Sequence, residues 1–261
     1  MRPTVLILLF ILFFASCGGR GGEDLEARKV RTQKDLAIFY ILRGDHQSAL
    51  RELEGLKRVS RRDPEFYYLE GLVYFGLKEY EKAEASFKRA IELNPNYSEA
   101  RTSLGGIYLE LGRWDDAIRE SSKAAEDLFY RSREKALTHI GYEYFKKGDF
   151  ETAKKYFKEA LEKNPAFVYT HNKLGELYLE TEETEKALEE FKKAVEGYDP
   201  YEEAHYNLGL AYLKLGKMDD ACREFKRVLE LAPGGSLADS ARTYIPVCGA
   251  EEEDKSQEKS G

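Results

Sequence analysis

The chain has 261 residues, of which 34% are charged and 13% aromatic, and its formal net charge is −7. That balance argues against a nucleic-acid binder, which needs a basic face for phosphate contacts; Lys57-Arg58 and Arg61-Arg62 stand among acidic residues. No alternating valine/isoleucine run indicates a sheet, and seven prolines in a charged, aromatic-rich chain suit a thin helical array with much of its surface in water.

The first predicted element is an export segment. Arg2 precedes an apolar run from Thr4 to Phe14. The run is too short to span a bilayer, which takes about twenty residues, and matches the short core of a signal peptide over 1–16. It leads into Phe14-Ala15-Ser16-Cys17, which resembles the bacterial lipoprotein signal, with Phe14 where that family prefers leucine. The resemblance implies that Cys17 becomes the acylated, palmitate-bearing first residue of the mature protein. It also implies a bacterial source and a body outside the cytoplasm. Gly18 follows where aspartate would hold a lipoprotein at the inner membrane, which implies an outer-membrane anchor facing the periplasm. The alternative is an ordinary signal peptide cut near Ser16, with Cys17 incidental. Gly18-Gly19-Arg20-Gly21-Gly22 then predicts a flexible tether over 17–29.

From residue 30 to 235 the sequence is periodic. A small residue and, twelve positions on, an alanine recur as Ala37/Ala49, Gly71/Ala83, Gly105/Ala117, Gly141/Ala153, Gly175/Ala187 and Gly209/Ala221. The step is 34 residues except for one of 36, between the third and fourth units. An aromatic follows each small residue by three: Tyr40, Tyr74, Tyr108, Tyr144, Tyr178 and Tyr212. A large apolar residue follows each alanine by four (Leu53, Phe87, Phe157, Phe191, Phe225), except that the third unit has Ser121. Spacings of three and four share a helix face, so each unit holds two amphipathic helices. Asn94-Pro95, Asn164-Pro165 and Ala232-Pro233 close the second helix in register, and Asp199-Pro200 does so one residue late. Glycines 44, 76, 112, 148 and 216 mark the turns between paired helices, with Thr181 in the fifth unit. This pattern resembles the tetratricopeptide repeat family, which implies an all-α, right-handed solenoid of six helix pairs.

Leu237 to Ile245 has helical spacing after Pro233-Gly234-Gly235 and predicts a capping helix over 236–247. The tail from 248 to 261, with Glu251-Glu252-Glu253-Asp254, has little to bury and is expected to be disordered. In an oxidising compartment Cys222 and Cys248 are a disulfide candidate, worth roughly 3 kcal/mol if unstrained; the alternative is two free thiols.

Nothing in the chain spells out an enzyme, a cofactor site or a metal site. His46, His139, His171 and His205 form no zinc spacing, and His171 and His205 share one repeat position, which points to a structural or surface role. Gly18–Gly22 lacks the strand-to-helix context of a phosphate loop. In tetratricopeptide stacks the first helix of each unit lines the binding face. By that resemblance the candidate protein-binding groove comprises Ile38, Ile41, Tyr68, Leu72, Phe75, Leu109, Tyr142, Tyr169 and Asn172. Asn172 and Asn207 accompany an incomplete basic set for a carboxylate clamp. The early, apolar part of the row reads as a partner site, with core packing as the rival explanation for the twelfth position of each repeat.

A lipoprotein signal ahead of six such repeats is similar to the pilotin family of type IV pili. The segment Asp127 to Asp149 carries most of that likeness, through Gly141-Tyr142-Glu143-Tyr144-Phe145-Lys146-Lys147-Gly148, with Tyr142 where tryptophan is common. The resemblance implies an outer-membrane factor that helps a pilus secretin reach the membrane and multimerise. It implies a secretin subunit or another envelope protein as partner, membrane contact through the lipid alone, and no nucleic acid. An anchored adaptor for periplasmic cell-wall hydrolases or for β-barrel assembly is the alternative. The sequence leaves the oligomeric state open.

Overall fold

The computed structural model describes residues 18–246 and 248, with side chains from Leu25 onward. The expected signal segment, its Cys17 and the tail beyond Cys248 lie outside the described residues. Those residues form helices in pairs: α1 (Gly18–Leu42) with α2 (His46–Leu56), α3 (Pro64–Gly76) with α4 (Tyr80–Leu93), and α5 (Ser98–Glu110) followed by α6 (Trp114–Glu126). Then come α7 (Arg133–Lys146) with α8 (Phe150–Lys163), α9 (Val168–Glu180) with α10 (Thr184–Gly197), and α11 (Glu202–Lys214) with α12 (Met218–Leu231). A short α13 (Ser236–Arg242) follows, and no strand occurs among the described residues. The chain divides into two compact units between Ile107 and Tyr108, within α5.

One packing rule builds both units. The small residue of the first helix leaves a slot that the large residue of the second helix fills. A Cβ on Gly71 would stand 2.5 Å from the ring of Phe87, and one on Gly175 the same distance from Phe191. Gly141 and Gly209 meet Phe157 and Phe225 in the same way, at 2.7 Å. These four phenylalanines are fully buried, so each glycine is required by space. In the first unit the core gathers Ala37, Ala49, Leu53, Leu56, Phe66, Leu69 and Val73. In the second, one cluster runs from Ala153 and Phe157 to Ala241, and another joins Ala124, Tyr130, Leu137 and Ile140. Asp45 and Asp149 cap α2 and α8, accepting from the N–H groups of Ser48 and Thr152 at 3.0 and 3.1 Å.

Several expectations change. Helix α1 reaches back to Gly18, across the segment expected to be a tether, because Leu25-Glu26-Ala27-Arg28-Lys29 are good helix formers and no proline stops them; these five side chains are exposed. The turn of the second repeat does not use Gly76. Gly76 closes α3, where a Cβ would lie 2.2 Å from the His46 ring, and the left-handed turn residue is Lys78 at φ +60°. In the fifth repeat that place falls on Glu182 at φ +61°, one residue after Thr181, in register with Gly44, Gly112, Gly148 and Gly216. The terminal helix closes at Arg242, short of residue 247, because Thr243 and Tyr244 turn the chain. Tyr244 stacks on Phe225 with ring centroids 4.5 Å apart. Cys248 belongs to the folded body rather than the tail: it is buried and bridged to Cys222, with Cα atoms 5.6 Å apart.

Candidate protein-binding surfaces

In the first unit, α1 and α3 hold the groove residues Ile38, Ile41, Tyr68 and Leu72. All four are partly buried and lean on the core below, so each keeps one apolar side toward water. Phe75 is 37% exposed and contacts Tyr80 at 5.9 Å between centroids. Tyr68 sits between Phe87 and Tyr97, at 5.9 and 5.1 Å. Burial raises the Tyr68 hydroxyl above its ordinary range, with Ser103 opposing and Glu99 adding a little. Lys34, at the edge of this row, is held by Asp63 and by Glu65 at 2.6 Å. The unit therefore offers a row of apolar surface on a fixed base, with one neutralised cation beside it.

In the second unit some of the matching positions are polar, while Phe145, Leu179, Leu210 and Leu213 stay apolar and partly buried. Asn172 is fully buried, which removes it from any groove surface. Its amide donates to Glu176 at 3.1 Å and to the Tyr201 hydroxyl at 3.3 Å, and its carbonyl accepts from Asn207 at 3.0 Å. Beside it Lys173, 4% exposed, donates to Glu176 and Glu203, both at 2.8 Å. The same ammonium lies 4.8 Å from the Tyr142 ring centroid and 5.4 Å from that of Tyr169. Burial works against the Lys173 charge, but Glu176, Tyr169 and Glu203 outweigh it and hold its pKa above the usual lysine value. Burial pushes the Tyr169 hydroxyl up to about 12 despite the nearby ammonium. Tyr142 and Tyr169 are thus walls of an internal cage already filled by Lys173. Of the nine expected groove residues, Leu109 is half-buried in this unit, and the apolar row proper is the first unit's five.

His171 and His205 are structural clamps. The Nδ1 of each lies 2.6 Å from a second-helix carboxylate, Glu190 or Glu224. The Nε2 of each reaches the carbonyl of the preceding turn, Pro165 or Asp199, at 2.8 and 2.7 Å. No group of three or more metal-ligating side chains gathers among the described residues.

Glu143 occupies the helix position filled by Val73, Ile107, Leu177 and Ala211 in other repeats, and it is fully buried. Its Oε1 accepts from Ser121 at 3.5 Å and its Oε2 has no hydrogen-bond partner among the described residues. Burial drives its pKa up to about 9, against smaller opposing effects of Ser121 and Lys147. Ser121 stands where other repeats place phenylalanine or leucine, so the two departures from the repeat pattern face each other. The signal was available as an acidic residue in an apolar register.

Family models for the tetratricopeptide repeat match residues 64–97, 134–167 and 202–234, and in a second phase 86–119 and 156–189. Together these matches cover more than half of the chain. The chain belongs to the tetratricopeptide repeat family. Among solved structures it is similar to PilW, described as a type IV pilus biogenesis factor, with 20% identity and a TM-score of 0.68 over 81% of this chain and 97% of that one. It is also similar to PilF of Pseudomonas aeruginosa, with 16% identity and a TM-score of 0.66 over 83% of this chain and 98% of that one. At these identities the likeness concerns the fold. A curated relative, anaphase-promoting complex subunit 3 of Schizosaccharomyces pombe, is 32% identical over 128 residues, 48% of this chain. The aligned stretch is 18% of that relative's length, so the match reflects shared repeats.

Proposed function

We propose that this tetratricopeptide protein is a lipid-anchored envelope scaffold acting as a pilotin, which guides a type IV pilus secretin to the outer membrane and assists its multimerisation. The observation that carries the binding role is the apolar row Ile38, Ile41, Tyr68, Leu72 and Phe75, supported from below and half open to water. Such a row suits an apolar or amphipathic segment of a partner. The pilotin assignment is supported by the lipoprotein-like Cys17 context and by a repeat array matching PilW and PilF over nearly their whole lengths. Covering two such side chains contributes roughly 3–6 kcal/mol before association costs.

The test is Tyr68→Ala combined with Leu72→Asp in the full chain. Secretin multimers and surface pili fall while the protein stays folded by circular dichroism and remains membrane-bound. Cys17→Ser abolishes fatty-acid labelling and releases the body from membranes. Normal secretin multimers in a strain lacking the whole gene overturn the pilotin reading in favour of an adaptor for cell-wall hydrolases or β-barrel assembly.

A further inference from the structure

The turn between α6 and α7, where the repeat is lengthened by two residues, displays Leu128 and Phe129 at 78% and 94% exposure. No other large apolar side chains stand so exposed side by side among the described residues. Its backbone is ordered in the same way as two other turns of the chain. Asp127 accepts from the Phe129 N–H at 2.9 Å, as Asn94 does from Asn96 and Asn164 from Ala166, each at 3.2 Å. In all three turns the next residue is aromatic (Tyr130, Tyr97, Phe167), and its N–H returns to the carbonyl of the capping residue within 3.0–3.2 Å. Tyr130 is buried in the core, and Arg133 Nε donates to the Ala125 carbonyl at 2.8 Å, so both ends of the tip are fastened.

At the matching places the other turns carry Pro95, Asn96, Pro165 and Ala166, all exposed. The fold therefore asks for no apolar side chain here, and Leu128 and Phe129 add nothing to its core. Single exposed apolar residues are ordinary, but an adjacent pair at the tip of a fastened turn is a knob. On its C-terminal flank Arg131 and Lys135 are exposed and form no ion pair among the described residues, while Glu126 is exposed on the other flank. We propose that Leu128 and Phe129 enter an apolar pocket on a protein partner whose rim is acidic where it meets Arg131 and Lys135. A protein suits this knob better than a lipid surface, because two side chains flanked by a glutamate bury too little to hold a bilayer. The inference rests on the reading of the chain as an interaction scaffold, and it concerns residues other than those of the first unit's apolar row.

The test places the photo-crosslinking amino acid p-benzoylphenylalanine at Phe129 of the full chain in its own host, with the same probe at Ala166 as the matched exposed turn. Phe129 gives a discrete protein adduct and Ala166 does not. The crosslinked peptide, mapped by mass spectrometry, combines apolar and acidic residues, and Arg131→Glu with Lys135→Glu cuts its yield about tenfold, the effect of losing a central contact. A yield equal to that at Ala166, an adduct insensitive to the charge reversals, an adduct with lipid, or one of twice this chain's own mass overturns the proposal. Tyr68→Ala with Leu72→Asp separates the two readings. If the pilotin reading fails while the Phe129 adduct meets these criteria, the knob stands alone.

Discussion

The first unit places Ile38, Ile41, Tyr68 and Leu72 on the inner positions of its first helices, and the second, beside apolar residues such as Phe145 and Leu179, sets a linked polar group of Asn172, Lys173 and Glu176 against the Tyr142 ring. Both are built on the glycine–phenylalanine slot, so the contrast does not come from the scaffold. Apolar side chains resting on a core leave their outer faces unsatisfied, and an incoming segment gains by covering them. The polar set of the second unit is already mutually satisfied, and a partner would have to replace its internal hydrogen bonds one for one. The first unit thus offers the apolar row on which the proposed function rests, and the second carries a cross-braced polar set.

The largest effect expected from this contrast comes from the cations. Lys173→Ala leaves Glu176 and Glu203 without their shared ammonium. Removing one partner of a buried pair costs about 3–5 kcal/mol; on the order of 2–4 kcal/mol is expected here, because the Glu203 side chain keeps 38% exposure. Lys34→Ala in the first unit, between partners 28% and 51% exposed, costs at most about 1 kcal/mol. Urea unfolding of both variants measures the difference, and equal losses would remove the contrast.

The disulfide comes next. Cys248→Ser opens a loop of 26 residues, with a loss of about 3 kcal/mol. In a repeat array the loss stays near its origin, so hydrogen exchange speeds up in α12 and α13 while α1 to α4 are unchanged.

Glu143 sharpens the comparison within the second unit. Its folded-state carboxyl keeps its proton up to about pH 9, whereas the unfolded chain releases it near the usual value of 4.5. The unfolded state binds fewer protons through that window, so this group makes stability fall as pH rises from 4.5 to about 9. Glu143→Leu stabilises the protein by about 1–3 kcal/mol near pH 8, the cost of an unsatisfied buried oxygen, and by less near pH 5. Thermal unfolding at both pH values checks the slope; a gain independent of pH would show that packing alone is responsible.

The smallest effect should be the same in both units. Lys78→Gly and Glu182→Gly each relieve a left-handed backbone at φ near +60° and stabilise by about 0.5–1 kcal/mol. Unequal gains would mean that the two turns differ by more than their local geometry.

Period and slot were legible in the sequence because each repeat restates the same local requirement. Gly175 and Phe191 can be paired from spacing alone, since sixteen residues of helix–turn–helix leave few ways to meet. The turn at Lys78 was not legible, because Gly76 supplied a stronger local signal for a different purpose: it makes room for His46, thirty residues earlier. Tyr142, Tyr169 and Asn172 stand on first helices, yet their exposure could not be read from register. It depends on Lys173 and on Glu203 and Asn207, which the first helix of the next repeat brings against them. The sequence by itself determined the period, the helix pairs and the small-to-large complementarity of each unit, because these follow from contacts within about one repeat. Only the tertiary structure decided which polar residues face each other across repeats, that Glu143 meets Ser121, and that Leu128 and Phe129 face water, because burial is a property of what lies opposite a side chain.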